Sequence, residues 1–298
     1  MKKNYRPYVM VLGAMAVLSL TACNSDSDLT ESSSLTLSGN ESRKNEEFEK
    51  LQKICSYVDQ NWSQSAVLRN NLANSTDTNF MYSQMTRIAN LWGKNSPVLK
   101  FVDDPYYPNS TLNAYSYPGG RIYFGYALYY DAKNKGGNIV NAMILAHEFG
   151  HQLQFLYDLP TYVENTARSM ELEADGFAGY YLRRPEGYNK TNFSEIANAY
   201  EYARQIGDYN TTSSNHHGTP AQRRSAVRLG FLLGQYSLNA NEFDDWFFYY
   251  YQGVLNGTHK GNKKINNPEL EAYMNQYTDE LKQIQKGEIS AEEFKNLK

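Results

Sequence analysis

Two histidines and a glutamate fall within five positions, "HEFGH", His147 to His151, in a chain of 298 residues that has five histidines in all. His147 and His151 are four residues apart. On an α-helix both imidazoles therefore project from one face, one turn apart, where they can reach a single ion. Zinc accepts neutral imidazole nitrogen at about 2.0–2.1 Å in tetrahedral sites. Glu148 follows the first histidine and is placed to take a proton from a water on the metal. The bland reading is a buried helix whose histidines bond to backbone carbonyls. A further ligand has to decide between the two.

Glu171 supplies that ligand, twenty residues after His151 in "MELEADGFAG". The interval lets the first helix end, the chain turn and a second helix return. Asp175, four residues on, shares the face of Glu171. Metal-bound histidines commonly donate their other N–H to a carboxylate, which fixes the tautomer, and Asp175 is expected to do this for His147. Ala174 and Ala178 would let the two helices approach closely. Most acidic runs are solvated faces, but Met170, Phe177 and Tyr181 on this helix argue against that here. One Zn²⁺ per chain, held by His147, His151 and Glu171, is the expected cofactor.

"HEFGH" followed at this interval by Glu-x-x-x-Asp resembles the H-E-x-x-H pattern of gluzincin metallopeptidases. "HEFGHQLQ", "ELEADGFAG" and "HGTPAQR" together are similar to the bacterial neutral zinc metallopeptidase family. "NAYSYPGGRIYFG" resembles the strand and turn before the active helix in HtpX-like peptidases. The resemblance covers roughly residues 98 to 236 and departs at Gly176, where the first family has a cysteine. It implies a zincin-like metallopeptidase fold and hydrolysis of peptide bonds in a peptide or protein substrate by a zinc-activated water, with Glu148 as catalytic base. It also implies that His217 lies in the active site, to stabilise the oxyanion or protonate the leaving amine. Arg223, and His216 beside His217, become candidate transition-state or substrate contacts. A loop histidine capping the helix that begins near Pro220 is the plain alternative. His259 in "NGTHKGN" reads as a solvated loop residue.

The elements that would position these groups are mostly helical. Helices are expected near residues 46–62, 79–92, 138–157, 163–183, 194–206, 220–236, 241–256 and 268–285. "VLKFV", "NAYSY" and "RIYFG" read as short strands, with the turn "PGG" between the last two. The fold class is mainly α with a small antiparallel β-sheet (α+β), the active-site helix packing against a second ligand-bearing helix. An edge strand from "NAYSY" or "RIYFG" would bind the substrate backbone. Asn138 can cap the active helix and Pro160 stops it.

At the start of the chain Lys2, Lys3 and Arg6 precede an apolar stretch from Val9 to Leu20 that is short for a membrane span. It ends in "LTAC", which resembles the lipobox of bacterial lipoproteins and implies cleavage before Cys23 with lipid on that residue. Residues 1–22 are thus read as a signal peptide, 23–45 as a flexible tether, and 46–298 as one metallopeptidase domain. Within that domain the helices of 46–92 precede a catalytic core of about 98–257, and 258–298 form a helical extension. The expected location is the bacterial cell envelope, with the membrane engaged through the N-terminal lipid.

Loss of residues 1–22 removes three basic residues and no acid, taking the formal net charge from −3 to −6. Nucleic acid is therefore not an expected partner, since its phosphates demand a basic footprint. Cys23 and Cys55 are the only cysteines. Cys55 lies on a helical stripe with Phe48, Leu51, Val58 and Trp62 and reads as a buried hydrophobe. Two other functions fit less of the sequence. One is a non-catalytic surface lipoprotein with a structural zinc, serving as an interaction module, although such sites usually close with four protein ligands. The other, a glycan-binding lipoprotein, rests on the 26 tyrosines alone.

Overall fold

Four short strands form one sheet in the order β1-β2-β4-β3: β1 (Val67–Arg69), β2 (Val98–Asp103), β3 (Ala114–Tyr117) and β4 (Arg121–Gly125). The computed structural model describes residues 62–205, 207, 209–255 and 266–298. The segments read as signal peptide and tether, Cys23, the helix proposed around Cys55 and His259 all lie outside the described residues. Trp62 is described and stands in a bend rather than a helix, its indole edge against Tyr115 at 5.2 Å.

The sheet is mixed, not antiparallel as the sequence suggested. β1 runs antiparallel to β2 and β3 antiparallel to β4, but β4 pairs with β2 in parallel. Burial explains the order. Ile122 and Phe124 of β4 face the main core, while Tyr123 between them faces a smaller cluster with Trp62, Ala66 and Val102. A strand buried on both faces belongs inside a sheet. Every residue of β3 is half-buried, so β3 takes the edge. The strands "VLKFV", "NAYSY" and "RIYFG" lie where their alternation placed them.

The helices follow as α1 (Ser75–Leu91), α2 (Tyr126–Gly136), α3 (Asn138–Tyr157), α4 (Arg168–Arg183) and α5 (Ala197–Gln205). They continue as α6 (Pro220–Leu233), α7 (Ala240–Leu255), α8 (Pro268–Asn275), α9 (Thr278–Lys286) and α10 (Ala291–Lys295). α1 begins earlier than its apolar stripe because Asn74 caps it, accepting from Asp77 N–H at 2.8 Å. α3 starts at Asn138 itself, so that residue does not cap; Gly137 precedes it at a φ of 80°. α3 ends before Pro160, at Asp158, which adopts the left-handed conformation and donates its N–H to Gln154 O. α4 starts five residues later than expected, because Thr161 is held by Asp244 of α7 through its N–H and hydroxyl. The expected helix 268–285 is two helices, α8 and α9.

α3 is apolar almost all round, and from Val140 to Ala146 it is buried without a break. Its second half packs on α4 where Gly150 permits a close approach. A Cβ there would stand 3.2 Å from the Ala174 Cα, the small-residue contact expected of this pair. α4 and α6 cross more tightly still. A Cβ on Gly230 would fall 1.9 Å from the Gly176 carbonyl oxygen, and one on Gly176 would fall 2.5 Å from the Phe247 ring. No cysteine fits at 176. α4 is also braced by stacked rings, Phe177 on Phe243 at 4.4 Å and Tyr180 on Trp92 at 5.0 Å. Among the described residues no helix is long and apolar enough to cross a membrane.

Candidate metal centre

His147 and His151 lie one turn apart on α3, with ring centroids 4.8 Å apart and planes perpendicular. Glu171, in the first turn of α4, reaches across to both. Its Oε2 is 3.4 Å from His147 Nε2 and its Oε1 is 3.7 Å from His151 Nε2. One ligand atom from each residue lies within 4.8 Å of the others, and this group could hold a metal ion. Ligand atoms at about 2.0–2.2 Å from a tetrahedral ion stand about 3.4 Å from one another, so the separations fit. The three side chains are each 12–15% exposed, so none of them is fully sealed from solvent.

The outer ring nitrogens are also engaged. His147 Nδ1 is 2.9 Å from Asp175 Oδ1, the partner expected from the spacing of the acids. His151 Nδ1 is 2.8 Å from Gln154 Oε1. Arg223 of α6 donates through Nη2 to Asp175 Oδ1 at 2.8 Å and brings Nη1 to 3.7 Å from Glu171. Its side chain is 2% exposed, so the guanidinium is committed to these carboxylates rather than extended toward a substrate.

The charges make this a place that stabilises a cation. Burial works to lower the pKa of His147, but the bonds to Asp175 and Glu171 outweigh it and push the imidazole up to about 10. Glu171 is the counterpart. Burial would raise its carboxyl, yet the His147 bond and the charges of both histidines and Arg223 hold it well below the usual carboxylate range. Metal ions compete with protons for such ligands.

Glu148 is buried beside the group but is not part of it. Burial pushes its carboxyl up, and His147 and His151 oppose that in part. A raised carboxyl suits a proton acceptor working near neutral pH. Behind Gln154, Glu173 is fully buried; burial and the charge of Asp244 push its carboxyl well above its ordinary value.

Edge strand β3 is fastened to the turn of α3 that carries Glu148. Ser116 Oγ donates to Glu148 O at 2.8 Å. Gln152 Nε2 donates to Ser116 Oγ at 2.5 Å and to Tyr117 O at 2.9 Å. β4 lies inside the sheet, so of the two candidate strands β3 is the one at an edge among the described residues.

His216 and His217 are not members of the metal-holding group. His216 is buried and His217 half-buried. Their segment is pinned to the start of α4, where Ala167 N–H donates to Ser214 O at 2.9 Å. Sequence reasoning assigned no role to Gln152, Gln154 or Ser116. The signal for the two glutamines was polar side chains on an otherwise apolar helix, Gln154 at the i+3 position from His151.

No protein family matches the chain. No curated protein does, and no solved structure does.

Proposed function

We propose that this protein is a zinc metalloendopeptidase that hydrolyses peptide bonds, tethered in the bacterial cell envelope through lipid on Cys23. The observation that carries the reading is the meeting of two imidazole Nε2 atoms and the Glu171 carboxylate within 4.8 Å, none of the three fully sealed from solvent, with Glu148 next to His147 on the same helix. A structural zinc site would use a fourth protein ligand, and the group among the described residues has three.

Bound zinc would acidify a water to a pKa of about 7 and polarise the scissile carbonyl. Glu148 would accept a proton from a water activated there and pass it to the departing amine. Asp175 and Gln154 hold the outer nitrogens of the two ligand histidines, and Arg223 holds Asp175. β3, at the edge of the sheet among the described residues, would pair with the substrate main chain, which binds backbone and reads side chains weakly. Its fastening to α3 through Ser116 and Gln152 registers a bound peptide against Glu148. His217 is assigned to the oxyanion or the leaving amine, with His216 the alternative.

Hydrolysis of an unstructured protein such as casein tests the reading. Activity should vanish on chelation and return with zinc, and His151→Ala should have neither zinc nor activity. A zinc-loaded wild type that cleaves nothing across a broad peptide library contradicts the enzyme reading. For the tether, Cys23→Ser should release the protein from the membrane fraction or leave uncleaved precursor; membrane retention of a processed Cys23→Ser protein contradicts it.

A further inference from the structure

Gln154 follows His151 by one turn on α3 and is 2% exposed. An amide has one end that donates and one that accepts. Here the two ends are set by the neighbours. Gln154 Nε2 stands 2.8 Å from Met170 O, a backbone carbonyl that can only accept, and 2.9 Å from Glu173 Oε2. The donating end must face α4. Oε1 is then the atom 2.8 Å from His151 Nδ1, and an amide oxygen can only accept. His151 must carry its proton on Nδ1, which leaves the Nε2 lone pair directed toward Glu171.

We infer that Gln154 is the positioning residue of the centre, fixing His151 in its metal-accepting tautomer and setting the distance between the two ligand-bearing helices. The second half follows from where the amide is tied. Met170 immediately precedes the ligand Glu171, and Glu173 follows it by two residues. One side chain thus joins the turn after one ligand to the turn that bears another. Asp175 serves His147 differently, as a carboxylate that only accepts. A carboxylate at 154 could still accept from His151 but would have no hydrogen for Met170 O or Glu173. Glutamate is therefore not a conservative replacement here, although it is one methylene-for-methylene.

The inference rests on the metal-ligand reading of His151 and Glu171, and its tests separate the two. Zinc affinity is measured by competition with a chromophoric chelator for the full chain and for Gln154→Leu and Gln154→Glu, with folding followed by thermal melts. Both variants should bind zinc about 10–100-fold more weakly than wild type, the usual loss when a group supporting a ligand is removed. Gln154→Glu binding as tightly as wild type overturns the bridging role, and Gln154→Leu doing so overturns the whole inference. The ring ¹⁵N spectrum of metal-free wild type, recorded above the ordinary histidine titration range, requires no variant at position 154 to fold. It should show His151 protonated on Nδ1, with assignment by loss of the signal in His151→Asn, and a proton on Nε2 overturns the inference. Wild type that takes up no zinc overturns the metal reading instead, and the ring spectrum still decides the role of Gln154.

Discussion

Arg223 donates to the Asp175 carboxylate oxygen that also contacts His147 Nδ1, at 2.8 Å and 2.9 Å respectively. A residue on α6 thereby orients, through α4, a histidine on α3 that belongs to the group able to hold a metal. Removing one partner of a buried ion pair leaves the other charge uncompensated, which costs about 3–5 kcal/mol. Arg223→Met should lose stability on that scale in denaturant unfolding and should also weaken zinc. Asp175→Asn should weaken zinc by about 10–100-fold, less than Glu171→Gln, which removes a ligand outright. Arg223→Met with wild-type stability and zinc affinity but a raised KM would return Arg223 to the role of substrate contact.

The crossing of α4 and α6 depends on Gly230. With a Cβ 1.9 Å from the Gly176 carbonyl oxygen, neither helix can stay where it is, because the obstacle is backbone. Gly230→Ala should destabilise the protein by about 1–3 kcal/mol or more, the usual range for overpacking. Zinc affinity should fall with it, since Asp175 and Arg223 meet beside that crossing. Thermal melts and chelator competition check both, and a variant as stable as wild type contradicts the packing described.

Asp104 gives the fold an acid-sensitive anchor. It accepts from Tyr106 N–H at 3.0 Å, Tyr107 N–H at 2.9 Å, Ser65 Oγ at 2.8 Å and Ser110 Oγ at 2.9 Å. Burial would raise its pKa, but these bonds outweigh it and bring it down from 3.8 to about 2. A folded pKa below the unfolded one adds stability that is complete above the unfolded value and is lost as pH falls through the folded one. The stability gap between wild type and Asp104→Asn should therefore hold from neutral pH down to the ordinary carboxylate range, then shrink toward pH 2. Denaturant titrations over a pH series measure it, and a gap that stays constant in acid contradicts the assignment.

The group that could hold a metal was legible in sequence because its residues lie on helical periods. His147 and His151 share a face by spacing alone, and Glu171 and Asp175 do the same on the returning helix. α3 and the three strands β2, β3 and β4 were equally plain, from an unbroken apolar run and from alternation around "PGG". The parallel pairing of β2 with β4 was not, because nothing local shows that the later strand of a hairpin slips inside. β1, with three residues, is too short to carry a pattern, and α2 mixes tyrosine and lysine with little periodicity. Gln154 escaped for a different reason. Its partners Met170 and Glu173 lie 16 and 19 residues away, and only the packing of α3 on α4 makes them neighbours. Arg223 could be placed near the site from its motif, but the carboxylate it serves could not be chosen before α6 was seen to cross α4.

Glu148 separates holding a metal from using it, so the most direct measurement is peptide hydrolysis by zinc-loaded Glu148→Gln beside zinc-loaded wild type. Glu148 lies outside the metal-holding group, and the amide preserves its shape, so zinc content and thermal stability should stay near wild type. Loss of a general base lowers rate by about 10²–10⁴, and hydrolysis should fall by that much. Zinc-loaded Glu148→Gln that cleaves peptides at the wild-type rate contradicts the account.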